Sequence, residues 1–226
     1  MYLLLTAATA AEIQPTIDFL EKKDFAFPSL QAEILVTGIG AVSTTYLLTN
    51  GINKHRPDII MQAGIAGSFG QKKTGEVVTV EQDAFGDMGA WEKDQFKNIF
   101  DLKLVDDNQR PFINRFLINP YKKLLLLSGL DQVRAITVNE ISTESKRIEW
   151  YKQNLSPAVE SMEGAALHYV CLQENIPFLQ IRSVSNAIGE RDKTKWNLPE
   201  AIGKLNEKLI LLLNELSQYN EIYFRI

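Results

Sequence analysis

The sequence is poor in residues that bind metals or form disulfides. It contains a single cysteine, Cys171, so no disulfide can form within the chain. A reducing compartment such as the cytoplasm is the simplest explanation. The two histidines, His55 and His168, have no metal-ligand spacing to each other or to the cysteine. We therefore expect no metal, no other cofactor and no covalent nucleophile, and we expect Cys171 and His168 to be structural residues on one helix.

The sequence also lacks an excess of positive charge and a long apolar run. It has 24 Lys and Arg against 28 Asp and Glu, which gives a formal net charge of −4. A nucleic-acid partner requires a clustered positive surface, so this balance disfavours one. No stretch approaches the roughly 18 apolar residues typical of a membrane span. The apolar residues 2–5 are not preceded by the positive residues of a signal peptide, so a first core strand explains them better.

The patterns that are present predict one α/β domain over residues 1–226. The predicted strands cover residues 2–5, 32–37, 58–62, 76–81, 132–138 and 178–184, and residues 124–128 also look extended. The predicted helices cover residues 13–23, 41–52, 161–174 and a final stretch that begins near Pro199. Strands that alternate with helices predict a mixed twisted sheet flanked by helices. We expect the weakly periodic residues 85–121 to leave this sheet as a lid or an interface element.

Two of the predicted strands lead into glycine-rich loops, GIG at 38–40 and AGIAG at 63–67. In open α/β sheets, ligands bind beyond the carboxyl ends of strands, where small residues allow backbone amides to approach them. Neither loop fits the dinucleotide fingerprint G-x-G-x-x-G. Taken singly, each loop is better explained as a tight turn.

Polar side chains follow the ends of other predicted elements. Glu12 comes after a run of small residues and could accept a proton from water, although acids are also favoured in the first turn of any helix. Glu163 lies at a helix start, and Asn186 ends the following strand, where capping and turn roles are the ordinary explanations. Arg182 lies inside an apolar strand, and a buried guanidinium needs a partner, so we expect it to meet a carboxylate.

Five motifs occur in a fixed order along the chain: TGIGAVSTTYLLT (37–49), PDIIMQAGIAGSFG (57–70), GEVVTVEQDAFGD (75–87), SMEGAA (161–166) and PFLQIRSVSN (177–186). Together they resemble the nucleoside phosphorylase/nucleosidase family, with its two glycine turns, its V-E-M-E-A-A helix start and its P-F-x-x-x-R-x-x-S-[DN] strand. Within that family, SMEGAA, the S-N ending, the F-G-D-x-G segment at 85–89 and Gly189-x-Arg191-Asp192 resemble the futalosine hydrolases of menaquinone biosynthesis.

The resemblance implies a purine nucleoside phosphorylase-like fold and cleavage of the N-glycosidic bond of a small-molecule purine nucleoside. Such cleavage passes through an oxocarbenium-like sugar. The resemblance implies that Glu12 is the general base that activates water, that Glu163 holds the ribose hydroxyls, and that Arg182 orients carboxylate and water. It implies that Asn186 recognises the departing base. The further implied substrate contacts are Met162, which would pack against the sugar, and Ser185, Ala66, Gly67, Ile141 and Ser161. Ser161 stands where nucleosidases have a glutamate, so their ribose network is not carried over in full.

Charge and hydrogen bonding refine the expected reaction. Phosphate needs a cationic cradle, but the acid at position 12 would repel it and the first arginine of the chain is Arg56, so water is the expected nucleophile. The amide nitrogen of Asn186 can donate to N7 and O6 of hypoxanthine, whereas an aspartate would suit adenine. Charge and hydrogen bonding thus favour hydrolysis of a 6-oxopurine nucleoside, and the resemblance to futalosine hydrolases implies conversion of futalosine to hypoxanthine and dehypoxanthine futalosine.

Three alternatives remain open: a methylthioadenosine/S-adenosylhomocysteine nucleosidase, a purine nucleoside phosphorylase, and a non-catalytic nucleoside-binding module on the same fold. The resemblance also implies a homodimer or higher homo-oligomer, in which residues 88–96 of a neighbour could close the 5′ side of the site. The cation that would bind the carboxylate tail of futalosine is not identified among the candidates Arg134, Lys146, Arg147, Arg191 and Lys193.

Overall fold

The computed structural model describes residues 1–22, 29–93, 95–190, 192, 194 and 196–224. Within them, ten strands and six α-helices follow one another along the chain. Strands β1 to β10 are Tyr2–Ala7, Gln31–Val36, Ile59–Ser68, Val77–Asp83, Gly89–Glu92, Gln95–Asn98, Leu117–Ile118, Asp131–Thr137, Val159–Ser161 and Phe178–Ala187. Helices α1 to α6 are Ala10–Glu21, Ala41–Lys54, Lys122–Leu127, Ser145–Asn154, Gly164–Glu174 and Leu198–Leu216.

Eight of the described strands form one mixed sheet at the centre of the fold. β1 pairs in parallel with β2 and β3, and β3 pairs in parallel with β10. β4 runs antiparallel to β10 and parallel to β8, while β9 joins β8 to β3. Because β10 pairs with both β3 and β4, strands β3, β9, β8, β4 and β10 close into a ring. Helices α1, α5 and α6 contact these strands, so the predicted mixed sheet flanked by helices is confirmed.

The parallel strands β1, β3 and β10 direct their carboxyl ends to the same edge of the sheet. All six residues of β1 are buried, as expected for a strand with both faces covered. The loop after β1, the glycines within β3 and Asn186 near the end of β10 therefore lie together at the edge where α/β sheets bind ligands.

Helix α6 covers one face of the sheet with the apolar stripe that the sequence predicts. It begins at Leu198, next to the predicted Pro199, and the side chain of Asn197 caps it by accepting from the Glu200 amide. Its leucines at 205, 209, 212 and 216 are buried, and burial of each contributes about 1.5–3 kcal/mol. None of the described helices is both long and apolar enough to cross a membrane.

Two predicted elements near the sheet differ in the structure. The segment 124–128, which the sequence predicts as extended, belongs to helix α3. A short run of leucines fits a buried strand and a buried helix equally well, and Leu124 and Leu125 are fully buried in the helical form. The helix predicted from residue 161 begins only at Gly164, because Ser161 ends β9, where it pairs with Thr137.

Helix α1 begins at Ala10, three residues before the predicted start. Thr9 and Glu12 form a capping box that stabilises this earlier start. The predicted last residue of the helix, Lys23, lies outside the described residues.

Residues 85–121 leave the main sheet, as predicted. β5 and β6 pair with each other as a separate hairpin, and the chain returns through β7, which pairs with β4. Phe100 and Phe112 pack with Leu117 and with Ala165 of α5. These aromatic contacts anchor the excursion to the core.

Candidate active site

A cavity of about 380 Å³ opens at the edge of the sheet where β1, β3 and β10 end. Predicted site residues from five separate parts of the chain meet there: Glu12, Ala66, Gly67, Ile141, Ser161, Met162, Glu163, Ser185 and Asn186. Arg182 is 1% exposed and lies behind the cavity wall. The structure thus gathers every predicted site residue in or directly behind one cavity.

Glu12 is held at the start of α1 by three hydrogen bonds. Its Oε1 accepts from the amide of Ile65 at 3.1 Å, and its Oε2 accepts from the amide and the hydroxyl of Thr9, each at 3.0 Å. An added Cβ on Gly64 would collide with Nη1 of Arg182 and would lie 3.0 Å from Oε1 of Glu12. Both side chains therefore converge over Gly64, which explains the lack of a side chain there. The AGIAG segment, predicted as a loop, lies within β3, where it pairs with β10.

Glu163 directs its carboxylate toward Arg182 and the GIG loop. Its Oε1 accepts from the amide of Gly40 at 3.0 Å, and its Oε2 lies 3.9 Å from Nη2 of Arg182. Nη2 also donates to Gln62 Oε1 at 2.5 Å. The expectation that Arg182 meets a carboxylate is confirmed by this ion pair. The sequence predicts that amides of the GIG segment could approach a ligand. In the structure the Gly40 amide donates instead to the carboxylate of Glu163.

Asn186 is half-buried at the end of β10, and its side chain is already partly engaged. Oδ1 accepts from the Ser185 hydroxyl at 2.7 Å, and Nδ2 donates to the carbonyl of Ala187 at 2.9 Å. An amide nitrogen carries two hydrogens. One N–H of Asn186 therefore remains for a ligand. Separate hydrogen bonds to both N7 and O6 of a purine would need two.

Ser161 and Met162 complete the floor of the cavity. Ser161 is 6% exposed, and its hydroxyl has no hydrogen-bond partner among the described residues. A buried polar group without a partner carries a free-energy cost. Met162 offers an apolar surface beside it.

Glu160 also lines the cavity. It is 5% exposed, its Oε1 accepts from the Ser142 amide at 3.0 Å, and its Oε2 accepts from the Ser142 hydroxyl at 2.5 Å. Burial raises the pKa of its carboxyl, and the hydrogen bonds from Ser142 oppose this shift. These bonds hold the loop that carries Ile141 over the cavity.

Much of the remaining wall is apolar and was not predicted. It is formed by Ala8, Ala11, Ile39, Ile65, Ile188, Trp196, Leu198 and Ile202. Ile39 and Ile65 belong to the two glycine-rich segments, and Ile202 belongs to the apolar stripe of α6. The wall residues come from α1, β3, α6 and the loops between elements, and their meeting depends on the tertiary fold.

Three carboxylates and no lysine or arginine line the cavity among the described residues. The three described candidates for binding an anionic tail, Arg134, Lys146 and Arg147, do not line this cavity. Arg134 donates to Gln82 and to the Leu155 carbonyl, and Arg147 donates to Glu140. Lys146 lines a separate open groove of about 840 Å³ between hairpin β5–β6 and α4. Arg191 and Lys193 lie outside the described residues.

His168 and Cys171 are both fully buried on α5. Nδ1 of His168 is 3.0 Å from the Leu117 carbonyl, and burial lowers its pKa to about 3, so the ring is neutral. Within the described residues, no group of three or more His, Cys, Asp or Glu side chains is arranged to hold a metal. The cavity presents carboxylates and an amide, with a guanidinium behind its wall, and such groups suit acid–base catalysis and stabilisation of a cation.

Comparison with known proteins gives consistent matches. The family model of the phosphorylase superfamily matches residues 21–216. A futalosine hydrolase from Thermus thermophilus is 29% identical over 206 residues, which cover 87% of this chain and 90% of that protein. A 5′-methylthioadenosine/S-adenosylhomocysteine nucleosidase from Buchnera aphidicola is 28% identical and covers 87% and 84%. The crystal structure of such a nucleosidase from Helicobacter pylori superposes with a TM-score of 0.80 at 17% identity, covering 96% and 99%, which shows a shared fold.

Proposed function

We propose that this chain, which belongs to the phosphorylase superfamily, hydrolyses the N-glycosidic bond of a 6-oxopurine nucleoside. The proposed substrate is futalosine, and the products are hypoxanthine and dehypoxanthine futalosine, in cytoplasmic menaquinone biosynthesis. The observation that carries the proposal is the convergence of Glu12, Glu163 and Asn186 on one cavity, with Arg182 directly behind it. The match to a futalosine hydrolase over most of both chains supports the choice of substrate.

In the proposed reaction, Glu12 accepts a proton from water as the water oxygen bonds to C1′ of the ribose. The bond from C1′ to N9 of the purine breaks, and the base leaves with the electron pair and takes up a proton. Positive charge develops on the sugar, where a carboxylate stabilises it. Glu163, placed by Gly40 and Arg182, is the carboxylate we assign to this role and to the ribose hydroxyls.

Water is the proposed nucleophile because the cavity is acidic. Glu12, Glu160 and Glu163 line it, and the described lining contains no lysine or arginine. Bound phosphate would need charge-assisted bonds from cations and would be repelled by these carboxylates. This argument supports a hydrolase over a phosphorylase.

A methylthioadenosine/S-adenosylhomocysteine nucleosidase is the second candidate, and one observation favours it. The described wall of the cavity is largely apolar, and it has no cation to pair with the carboxylate tail of futalosine. An apolar wall suits a small uncharged 5′ group such as methylthio. The amide at Asn186, which suits a 6-oxopurine, argues for the first candidate.

The test is incubation of the purified protein with futalosine, inosine and methylthioadenosine, with and without phosphate, while release of free base is followed by chromatography. The proposal expects hypoxanthine from futalosine at the same rate in both buffers. Release of adenine from methylthioadenosine at a much higher kcat/KM would establish the second candidate. A strict requirement for phosphate would establish a phosphorylase.

We also propose that the chain forms a homodimer through the exposed apolar face of α2. Val42 is 81% exposed and Tyr46 is 66% exposed, and Ile39, next to them in the chain, lines the cavity. Large exposed apolar residues in a cluster mark interaction surfaces. Light scattering should give the mass of a dimer for the wild type and of a monomer for Val42→Glu. A monomeric wild type would exclude the dimer. A dimer that survives Val42→Glu would contradict an interface on α2 and would favour residues 88–96 instead.

A further inference from the structure

A buried carboxylate that the proposed reaction does not use lies behind Glu163. Asp83, the last residue of β4, is fully buried. Its Oδ1 accepts from the Ala84 amide at 2.8 Å and from the Thr137 hydroxyl at 3.1 Å. Burying a carboxyl group is costly unless it is hydrogen-bonded. These two hydrogen bonds tie Asp83 to its own strand and to β8.

Thr137 connects Asp83 to the helix that follows Glu163. It is the last residue of β8 and is 1% exposed. Its hydroxyl accepts from the amide of Ala165 at 2.7 Å, while it donates to Asp83. A hydroxyl has one hydrogen, so donation to Asp83 turns its lone pairs toward the Ala165 amide. The carboxylate thus fixes the direction of the hydroxyl.

The Ala165 amide belongs to the first turn of α5, whose N-cap residue is Glu163. The first amides of a helix have no partner within the helix, and an N-cap side chain usually supplies one. Here the Glu163 side chain makes no capping bond. Thr137 supplies the cap from a neighbouring strand, and the Glu163 carboxylate is free to bind the Gly40 amide and pair with Arg182.

The start of α5 packs closely against two buried side chains. An added Cβ on Gly164 would collide with Nε2 of Gln180 and with Oδ2 of Asp83. Asp83 therefore contacts the start of α5 directly as well as through Thr137.

We propose that Thr137 and Asp83 are positioning residues for Glu163: they cap α5 from adjacent strands and so keep the Glu163 carboxylate in the cavity. The role in turnover rests on the proposed function, whereas the geometric part does not. Without the external cap, the unpaired Ala165 amide would compete with Gly40 and Arg182 for the Glu163 carboxylate.

The test compares Thr137→Val, Thr137→Ser and the matched control Thr79→Val. Thr79 is also a fully buried strand threonine, but its hydroxyl donates to the Gln180 carbonyl, away from α5. We expect Thr137→Val to lower kcat at least about tenfold, since a misplaced catalytic group is costly, with the Kd of the free base within about twofold. Thr137→Ser should restore kcat, and Thr79→Val should lose comparable stability without the fall in kcat.

Crystal structures separate this inference from the proposed function. In Thr137→Val the Glu163 carboxylate should leave the Gly40 amide, whether or not the wild type proves to be a nucleosidase. An active wild type whose kcat is unchanged in Thr137→Val would overturn the positioning role. A Glu163 carboxylate that keeps its place would do so even if the wild type releases no base. If Thr137→Val does not fold, crystal structures of Thr137→Ser and Asp83→Leu provide the test. The Glu163 carboxylate should keep its bond to the Gly40 amide in Thr137→Ser and lose it in Asp83→Leu.

Discussion

We propose that Asn186 determines which purine the cavity accepts. One of its amide hydrogens binds the Ala187 carbonyl and the other is free, so it can donate to the acceptor edge of a 6-oxopurine. We expect Asn186→Asp to shift the ratio of kcat/KM toward 6-aminopurine nucleosides by roughly tenfold or more, because a site loses affinity when a polar pair is mismatched. Kinetics with inosine and adenosine analogues measure this ratio. Ser185→Ala, which removes the bond to Oδ1, is the control and should weaken both substrates alike.

Asp83 should make the stability of the protein depend on pH. Burial raises its pKa from 3.8 to about 7, against the opposing effects of Gln180, Thr137 and the charge of Arg182. The folded state therefore binds this proton more tightly than the unfolded state. The contribution of Asp83 to the free energy of unfolding must then fall as pH rises from about 4 to about 7.

Asp83→Asn imitates the protonated acid at every pH, and nearby His168 stays neutral across this range because its pKa is about 3. The stability of Asp83→Asn relative to the wild type should therefore rise by roughly 1–3 kcal/mol between pH 5 and pH 8. Urea unfolding of both proteins at the two pH values gives this difference. A difference independent of pH would show that the folded and unfolded states bind the same number of protons at Asp83 over this range, which would contradict a raised pKa.

At the scale of elements, the link between α1 and α6 places Glu12. Pro15 interrupts the hydrogen bonds of α1, and the side chain of Asn206 on α6 inserts into the gap. Its Oδ1 accepts from the Thr16 amide at 3.0 Å, and its Nδ2 donates to the Glu12 carbonyl at 2.9 Å. These two backbone groups would bond each other in an uninterrupted helix. The Asn206 side chain therefore takes the place of one helical hydrogen bond, at the residue of the proposed base.

We expect Asn206→Leu to destabilise the fold by about 2–4 kcal/mol, since it leaves two buried backbone groups unpaired, and to lower kcat. Asn214→Leu, two turns further along α6, is the matched control. Asn214 donates only to the Ile210 carbonyl of its own helix, so its loss should cost under about 1 kcal/mol. Thermal unfolding and steady-state kinetics compare the two. Equal effects of both substitutions would remove the special role of Asn206.

The elements that carry strong periodicity were predictable from the sequence, and those shaped by tertiary contacts were not. Residues 202–216 follow a helical stripe, and residues 178–184 are an apolar run, so α6 and β10 were expected nearly where they occur. The leucine-rich α3 was wrongly predicted as extended because four apolar residues carry no decisive period. The three-residue β9 and the insertion of Asn206 into α1 depend on neighbours that are distant in sequence.

At the scale of the whole molecule, the sheet explains why the site could be predicted in part. Glu12 follows β1 and Asn186 lies near the end of β10, and parallel pairing of β1, β3 and β10 brings these strand ends to one edge. Glu163 follows β9, which pairs antiparallel with β3. Glu160 in β9 and the apolar wall were missed because their place in the cavity depends on pairing and packing between residues distant in sequence. The cation for an anionic tail is not among the described lining residues.

We propose that Glu12 activates water at this cavity to release a purine. The most direct measurement is release of hypoxanthine from futalosine in phosphate-free buffer by the wild type and by Glu12→Gln. Glutamine keeps the size of the side chain but cannot accept the proton, and general-base catalysis typically contributes about 10²–10⁴-fold. We predict a fall in kcat of this size, with unfolding temperatures within a few degrees of each other. Hypoxanthine release by Glu12→Gln at the rate of the wild type would contradict the account.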